Sequence, residues 1–339
     1  MRQLDTPLLA LTMGDPAGIG PEVVVRALRH DDVYERCRPL IVGDRRILAR
    51  AQQWIGLGEL PITIVDDPAA GDYRSGTLTV LDLANALPSA CPIGEVSAAA
   101  GRAAVEYVIR ACDLALSGDV DAVVAAPLNK EAMNRAGFAY AGHTELLAER
   151  TGATQVSMLL TSPQLRIVHV NTHVALSEAI RRVTAARVET TITLAYEACR
   201  ALGIDDPRIA VAGLNPHASE GGLFGDEEDH EIRPAVQAAR ARGYNVSDPQ
   251  PPDTIFARAV QGEFDIVVAM YHDQGHIPMK LLSFDSGVNV SVGLPIIRTS
   301  VDHGTAFDIA GTGTAREDSM LAAIDVAVQM VQARAKSRQ

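Results

Sequence analysis

The stretch Phe264 to Lys280, FDIVVAMYHDQGHIPMK, constrains this chain more than any other. Ile266 through Met270 is an unbroken apolar run, which reads as a strand buried on both faces of a sheet. At its end the chain turns abruptly polar, with Tyr271, His272, Asp273, Gln274, Gly275 and His276 in succession. In open α/β sheets ligands bind just past the carboxyl ends of the strands, so the chemistry is expected there.

The pattern occurs twice more. Arg166 to Val170 runs into Asn171-Thr172-His173, and Arg208 to Gly213 runs towards Asn215-Pro216-His217. Parallel strands of one sheet end on the same edge, which lets His173, His217 and His272 converge although they are far apart in sequence. Three imidazoles with positions left open make a catalytic divalent-metal site, for which zinc, cobalt and manganese all suit the ligand type. Three unrelated loop histidines, each satisfied by an ordinary hydrogen bond, stand as the alternative.

A chain of 339 residues with 47% hydrophobic content has material for one large or two medium domains, and disorder is excluded. A net charge of −12 argues against nucleic acid or an anionic membrane as the main partner. Positive charge for an anionic substrate must therefore be local. Cys37, Cys91, Cys112 and Cys199 show no CxxC or metal spacing, so reduced thiols are expected. The first apolar run is too short for a signal-peptide core, and no segment has the length to span a bilayer; the expected protein is soluble and cytoplasmic.

Along the chain, short apolar runs alternate with helical stretches, the sign of a parallel α/β architecture. Leu8 to Met13 reads as the first strand, followed by the glycine-rich turn Gly14 to Gly20 and a helix opening near Pro21 and running to about Leu28. Such a turn lets backbone approach a ligand, though it is as often a plain bend. Glu95 to Leu116 reads as a long alanine-rich helix, and Asp121 to Ala126 as a strand with Pro127-Leu128-Asn129-Lys130 at its carboxyl edge. His143 or Thr144 is placed to open the helix that follows and to help hold an anion there, with simple capping as the alternative for Thr144. Ala218 to Gly225 reads as a flexible polar loop, and Asp253 either caps a helix or points a carboxylate into the site. Between Val288 and Gly313, polar side chains and glycines are interleaved with apolar pieces, a composition costly to bury without a ligand.

Five of these segments together carry a recognisable pattern. GDPAGIGPE (14–22), GHTE (142–145), NPH (215–217), YHDQG (271–275) and RTSVDHGTA (298–306), in this order, resemble the 4-hydroxythreonine-4-phosphate dehydrogenase family over nearly the whole chain. That family is similar to the isocitrate and isopropylmalate dehydrogenases. The resemblance implies a two-domain α/β isocitrate/isopropylmalate dehydrogenase-like fold with an interdomain cleft, not a Rossmann fold. The expected division is residues 1–130 plus 296–339 on the cofactor side, and 131–295 for metal, substrate and dimerisation.

It further implies NAD as oxidant, one divalent metal ion (Zn, Co, Mn or Mg) held by His173, His217 and His272, and a homodimer that shares the active site. His143, Thr144, Lys280, Asn289 and Arg298 match the family's substrate positions. Gly18, Gly20, His303, Gly304, Thr305, Ala306, Asp308 and Gly311 are the expected cofactor residues. Lys280 leads for proton transfer, with Asp253 second.

Two departures bear on the substrate. His276-Ile277-Pro278 stands where the vitamin B6 biosynthetic members are expected to have Leu-Pro, and Asp285 lies close to a substrate position. Both resemble the catabolic branch, which oxidises 4-phospho-D-threonate or 4-phospho-D-erythronate at C3 and then decarboxylates the product. 4-Hydroxythreonine-4-phosphate dehydrogenation in pyridoxal phosphate biosynthesis is the alternative. A non-redox phosphate-acyl transferase, or a metal- or phosphate-binding protein of the same fold, is the remoter one.

Overall fold

The computed structural model describes residues 6–140, 142–284 and 286–337. The chain forms two compact units, Met1–Ala153 with Leu294–Val331, and Thr154–Gly293 with Gln332–Gln339.

The first unit is built on β1 (Leu8–Thr12), α1 (Gly20–Ala27), α2 (Asp31–Arg36), β2 (Arg38–Gly43), α3 (Arg45–Ile55), β3 (Ile62–Ile64), β4 (Leu78–Asp82), α4 (Ala98–Ser117), β5 (Ala122–Ala125), α5 (Lys130–Arg135) and α6 (His143–Thr151). The second holds β6 (Ser157–Thr161), β7 (Arg166–His169), α7 (Leu176–Arg181), α8 (Ala185–Ala201), β8 (Ile209–Ala212), α9 (Arg233–Ala241), β9 (Val246–Gln250), α10 (Ile255–Val260), β10 (Ile266–Ala269), α11 (His272–Ser283) and β11 (Val288–Val292). The chain then returns for β12 (Arg298–Val301) and α12 (Asp318–Lys336).

In the first unit the strand order is β3-β4-β2-β1-β5-β12, with every pairing parallel. β1 and β5 are wholly buried apolar runs, as strands covered on both faces must be. In the second the order is β11-β6-β7-β10-β8-β9. Here β6 runs antiparallel to both neighbours, while β7, β10, β8 and β9 are parallel to one another. The three strands that precede the histidine loops are thus adjacent and point the same way, which is the arrangement the sequence required.

Two expectations are corrected. Residues 131–153 group with the first unit, because α5 and α6 lie against α4. The backbone of Ala132 comes so close to Gly101 that a β-carbon there would sit 2.1 Å from its carbonyl oxygen, and Arg150 pairs with Asp113 at 2.8 Å. The long helix begins at Ala98, where Ser97 caps it, so Val96 lies outside it. His272 opens a twelve-residue helix that holds Gly275 and Pro278 and stops at Ser283. Asp285 lies outside the described residues.

Candidate functional site

The histidines of the second unit stand at the carboxyl ends of parallel strands, and buried hydrogen bonds tie those ends together. Gln274 accepts from the Met270 amide at 2.7 Å and donates to the Gly213 carbonyl at 2.8 Å, joining the end of β10 to the end of β8. Asn171 donates to the carbonyls of Ala179 and Met270, at 3.2 and 3.4 Å, joining β7 to β10. At β8 the buried Glu228 carboxylate accepts from the amides of Leu214 and Asn215 at 2.7 and 2.8 Å. Each loop is therefore held above the sheet by a buried polar group whose hydrogen bonds are made within the protein.

Four imidazoles gather there. His173 and His272 lie with ring centroids 5.7 Å apart, and His276 stacks on His272 at 3.6 Å with only 11° between the rings. His169 sits beneath His276 at 4.7 Å. His169 is fully buried, its Nε2 has no hydrogen-bond partner, and burial pushes its pKa down to about 3, with the neighbouring His276 adding to the shift. Gly275 makes this packing possible, since a β-carbon there would lie 2.3 Å from His169 Nε2.

His217 lies with its ring against that of Phe224, with centroids 6.4 Å apart. It also begins a left-handed turn, with positive φ at His217 (55°), Ala218 (54°), Ser219 (67°) and Glu220 (47°). Four successive non-glycine residues in that region cost backbone energy that ordinary loops avoid. The expected flexible loop is instead a tight coil at its start. Among the described residues, no group of three or more His, Cys, Asp or Glu side chains stands together to hold a metal. The donor chemistry of His173 and His272 suits a divalent transition ion, and one chain offers it as a pair.

Of the other expected residues in this unit, Lys280 lies in the last turns of α11, its Nζ 5.5 Å over the Phe284 ring. Asn289 sits on β11 opposite Leu160 of β6. Asp253 is exposed and does not cap α10, whose N-cap position is Thr254.

The first unit brings another set together. Arg298 opens β12 opposite Val123 of β5 and is only 2% exposed. Burial lowers its pKa to about 9, opposed by the charge of Glu145, so it remains a cation at neutral pH. His143, at the start of α6, has a wholly enclosed Nε2 without a hydrogen-bond partner. Burial first, then the charges of Arg298 and Lys130, hold it neutral well below the ordinary histidine range. Thr144 does not cap its helix, whose N-cap is Gly142 with no side-chain bond. A buried guanidinium, a second cation and an enclosed neutral imidazole have the chemistry of an anion site, the planar fork of Arg298 being suited to a phosphate or carboxylate.

The expected cofactor residues lie in the same unit. Gly18 is packed on Thr305, which a β-carbon would approach to 2.9 Å, and the Ile19 amide donates to the Thr305 carbonyl at 3.0 Å. Gly20 is as tightly placed, 2.5 Å from the Met13 carbonyl oxygen by the same measure. Gly304 and Asp308 are exposed, Ala306 has φ of 41°, and Gly311 donates to Glu22. His303 has an enclosed Nε2 lacking a hydrogen-bond partner, an orphaned atom of the sort a bound ligand satisfies. Close backbone approach and an orphaned nitrogen fit a dinucleotide.

Sequence reasoning passed over His169, Lys130, Gln274 and Glu22 as functional groups. His276 was singled out for substrate, but its stacking followed from a spacing left unused. His272 and His276 are four apart, hence on one face of a helix, had a helix been read there.

A family profile described as pyridoxal phosphate biosynthetic protein PdxA matches residues 35–327. A relative from Cupriavidus necator named D-threonate 4-phosphate dehydrogenase is 49% identical over 330 residues, 97% of this chain and 98% of its own. Another from Desulfosudis oleivorans, named 4-hydroxythreonine-4-phosphate dehydrogenase, is 49% identical over 326 residues, 95% of each chain. The crystal structure of 4-hydroxythreonine-4-phosphate dehydrogenase from Klebsiella pneumoniae superposes with a TM-score of 0.88 at 46% identity, covering 96% of this chain and all of that one.

Proposed function

Because the chain belongs to the PdxA family of dehydrogenases, we propose that it oxidises a 4-phosphorylated 3-hydroxy acid at C3, with NAD as acceptor, and that the 3-keto acid then loses carbon dioxide. The buried Arg298 beside His143 supports the phosphorylated part of this reading: a guanidinium that stays a cation at neutral pH, enclosed with a neutral imidazole, suits an oxyanion.

In this reading Arg298 grips two oxygens of the substrate's anionic group, while His143 and Thr144 hold the remaining ones. Asn289 orients the hydroxylated carbons. Lys280 takes the proton of the C3 hydroxyl or returns one to carbon after decarboxylation, and Asp253 is the weaker candidate because it is exposed. Gly18, Gly20 and the segment His303 to Gly311 bind the dinucleotide through backbone that side chains would obstruct. His173, His217 and His272 are the proposed ligands of a divalent ion, zinc, cobalt, manganese or magnesium. Such an ion, when bound, supplies Lewis acidity that lowers the pKa of the C3 hydroxyl and stabilises the charge left as carbon dioxide departs.

A homodimer belongs to the same proposal. α11 exposes Ile277, Leu281 and Leu282, with Phe284 just beyond, the most exposed being Leu281 at 82%. An apolar face of this kind on the helix that carries His272 suits a second copy of the chain. His217 would then complete the pair formed by His173 and His272 of the partner copy. The four cysteines are buried and free, as suits the cytoplasm.

The substrate is proposed to be 4-phospho-D-threonate or 4-phospho-D-erythronate. Relatives of both names are equally similar, so the support comes from His276, whose ring lies face to face with His272. NADH formation with these two compounds and with 4-phosphohydroxy-L-threonine, each with and without chelator, tests the proposal. Turnover of the first two, lost on chelation, is the expected result. Preference for the amino compound would instead place the chain in vitamin B6 biosynthesis, and no NADH with any of the three would refute the reading.

A further inference from the structure

In the first unit, one buried carboxylate reaches the glycine segment from below. Glu22, in the first turn of α1, is fully buried, and its two oxygens accept separately from the amides of Gly311 and Gly313, at 2.7 and 2.9 Å. One turn later Arg26 donates to the Gly313 carbonyl. The start of the same helix also binds the other end of the segment, through the Ile19 amide on the Thr305 carbonyl at 3.0 Å. Gly313 has φ of 70°, and a β-carbon there would lie 2.2 Å from the Trp54 carbonyl oxygen, so the segment is gripped on its far side as well.

We infer that Glu22 is a positioning residue for the dinucleotide: its carboxylate, seconded by Arg26, sets the height and tilt of the 311–313 backbone against which the cofactor is bound. The inference rests on the reading of residues 303–311 as the cofactor segment. Charge-assisted bonds to two amides of one short segment fix that backbone more firmly than neutral partners do. Burial raises the Glu22 pKa while the two amides lower it, so the carboxylate is held in a place that costs solvation. Such a group is retained where its geometry matters. The hydrogen bonds of Glu22 go to the glycine segment, so its loss should weaken dinucleotide binding and leave the phosphorylated substrate's binding alone.

The test is Glu22→Gln. The amide keeps the shape, but its NH2 group must face one of the two backbone donors. NADH affinity, read by fluorescence titration without substrate, should fall about tenfold or more, since one bond to a charged group is lost. KM for NAD should rise in parallel, with KM for the phosphorylated substrate and kcat within about twofold of wild type. Arg26→Met should move NADH affinity in the same direction by less, and serves if the glutamine variant does not fold. Unchanged NADH affinity in both variants overturns the inference, as does an equal rise of both KM values together with a lowered melting temperature, the mark of a merely structural role. Wild-type protein that binds no NADH would refute the cofactor reading itself, a separate outcome visible in the same titration.

Discussion

The glycine frame of the first unit and the histidine cluster of the second are both built at strand ends, yet they are finished differently. In the first, Glu22, Arg26 and the Ile19 amide brace the 303–313 segment from within the chain, and Arg298 and His143 are enclosed near one another. In the second, His173 lies beside His272, His217 sits on a strained coil, and the helix carrying His272 turns apolar side chains to solvent. The contrast supports the proposal that the first region is formed within one chain and that the second is completed by a second copy.

The sharpest way to break this contrast is at the histidines. His272→Ala should lower kcat by about a thousandfold or more, as loss of a metal ligand does, with cooperative unfolding retained; metal content by elemental analysis should fall with it. Turnover surviving in metal-free protein would count decisively against the scheme. In the preformed region Arg298→Ala should reduce kcat/KM by about 30- to 150-fold, or about 2–3 kcal/mol, mainly through KM for the phosphorylated substrate. Unchanged KM would remove the anion site.

Acid should separate the regions further. His169 is held neutral with its pKa at about 3, so its contribution to stability is complete above the unfolded value of 6.5 and is lost as pH falls from there towards 3. Between pH 7 and 5 this group alone should cost about 2 kcal/mol. His169→Gln cannot titrate, so the stability gap between variant and wild type in urea should narrow by that amount over the same interval. A gap that stays constant would mean that His169 titrates normally. The smallest expected effect tests the strained coil: Ala218→Gly should stabilise the protein by about 1 kcal/mol, because glycine adopts positive φ without penalty. Destabilisation would show that the coil costs little.

The strands were legible because buried parallel strands must be apolar throughout; Ile266 to Met270 and Asp121 to Ala126 announced themselves within one residue of their ends. The adjacency of β7, β10 and β8 followed from the same logic. The α11 helix was not legible, since Gly275 and Pro278 are poor helix residues locally, and what favours them is tertiary: only glycine fits over His169. The left-handed coil at His217 was equally hidden, because Ala218 and Glu220 carry no signal for positive φ; the chain just before it is tied by Glu228 to Leu214 and Asn215. Ion-site residues were visible by type, whereas their braces, Gln274 and Glu22, became visible only through the bonds they make.

Mixed dimers test most directly whether the histidine site is shared. His217→Ala and His272→Ala should each be inactive alone, yet co-expressed they should recover about a quarter of wild-type NADH formation, since half of the dimers are mixed and each holds one intact site. No recovery, with mixed dimers shown to form, would mean that the three histidines act within one chain and would contradict the account.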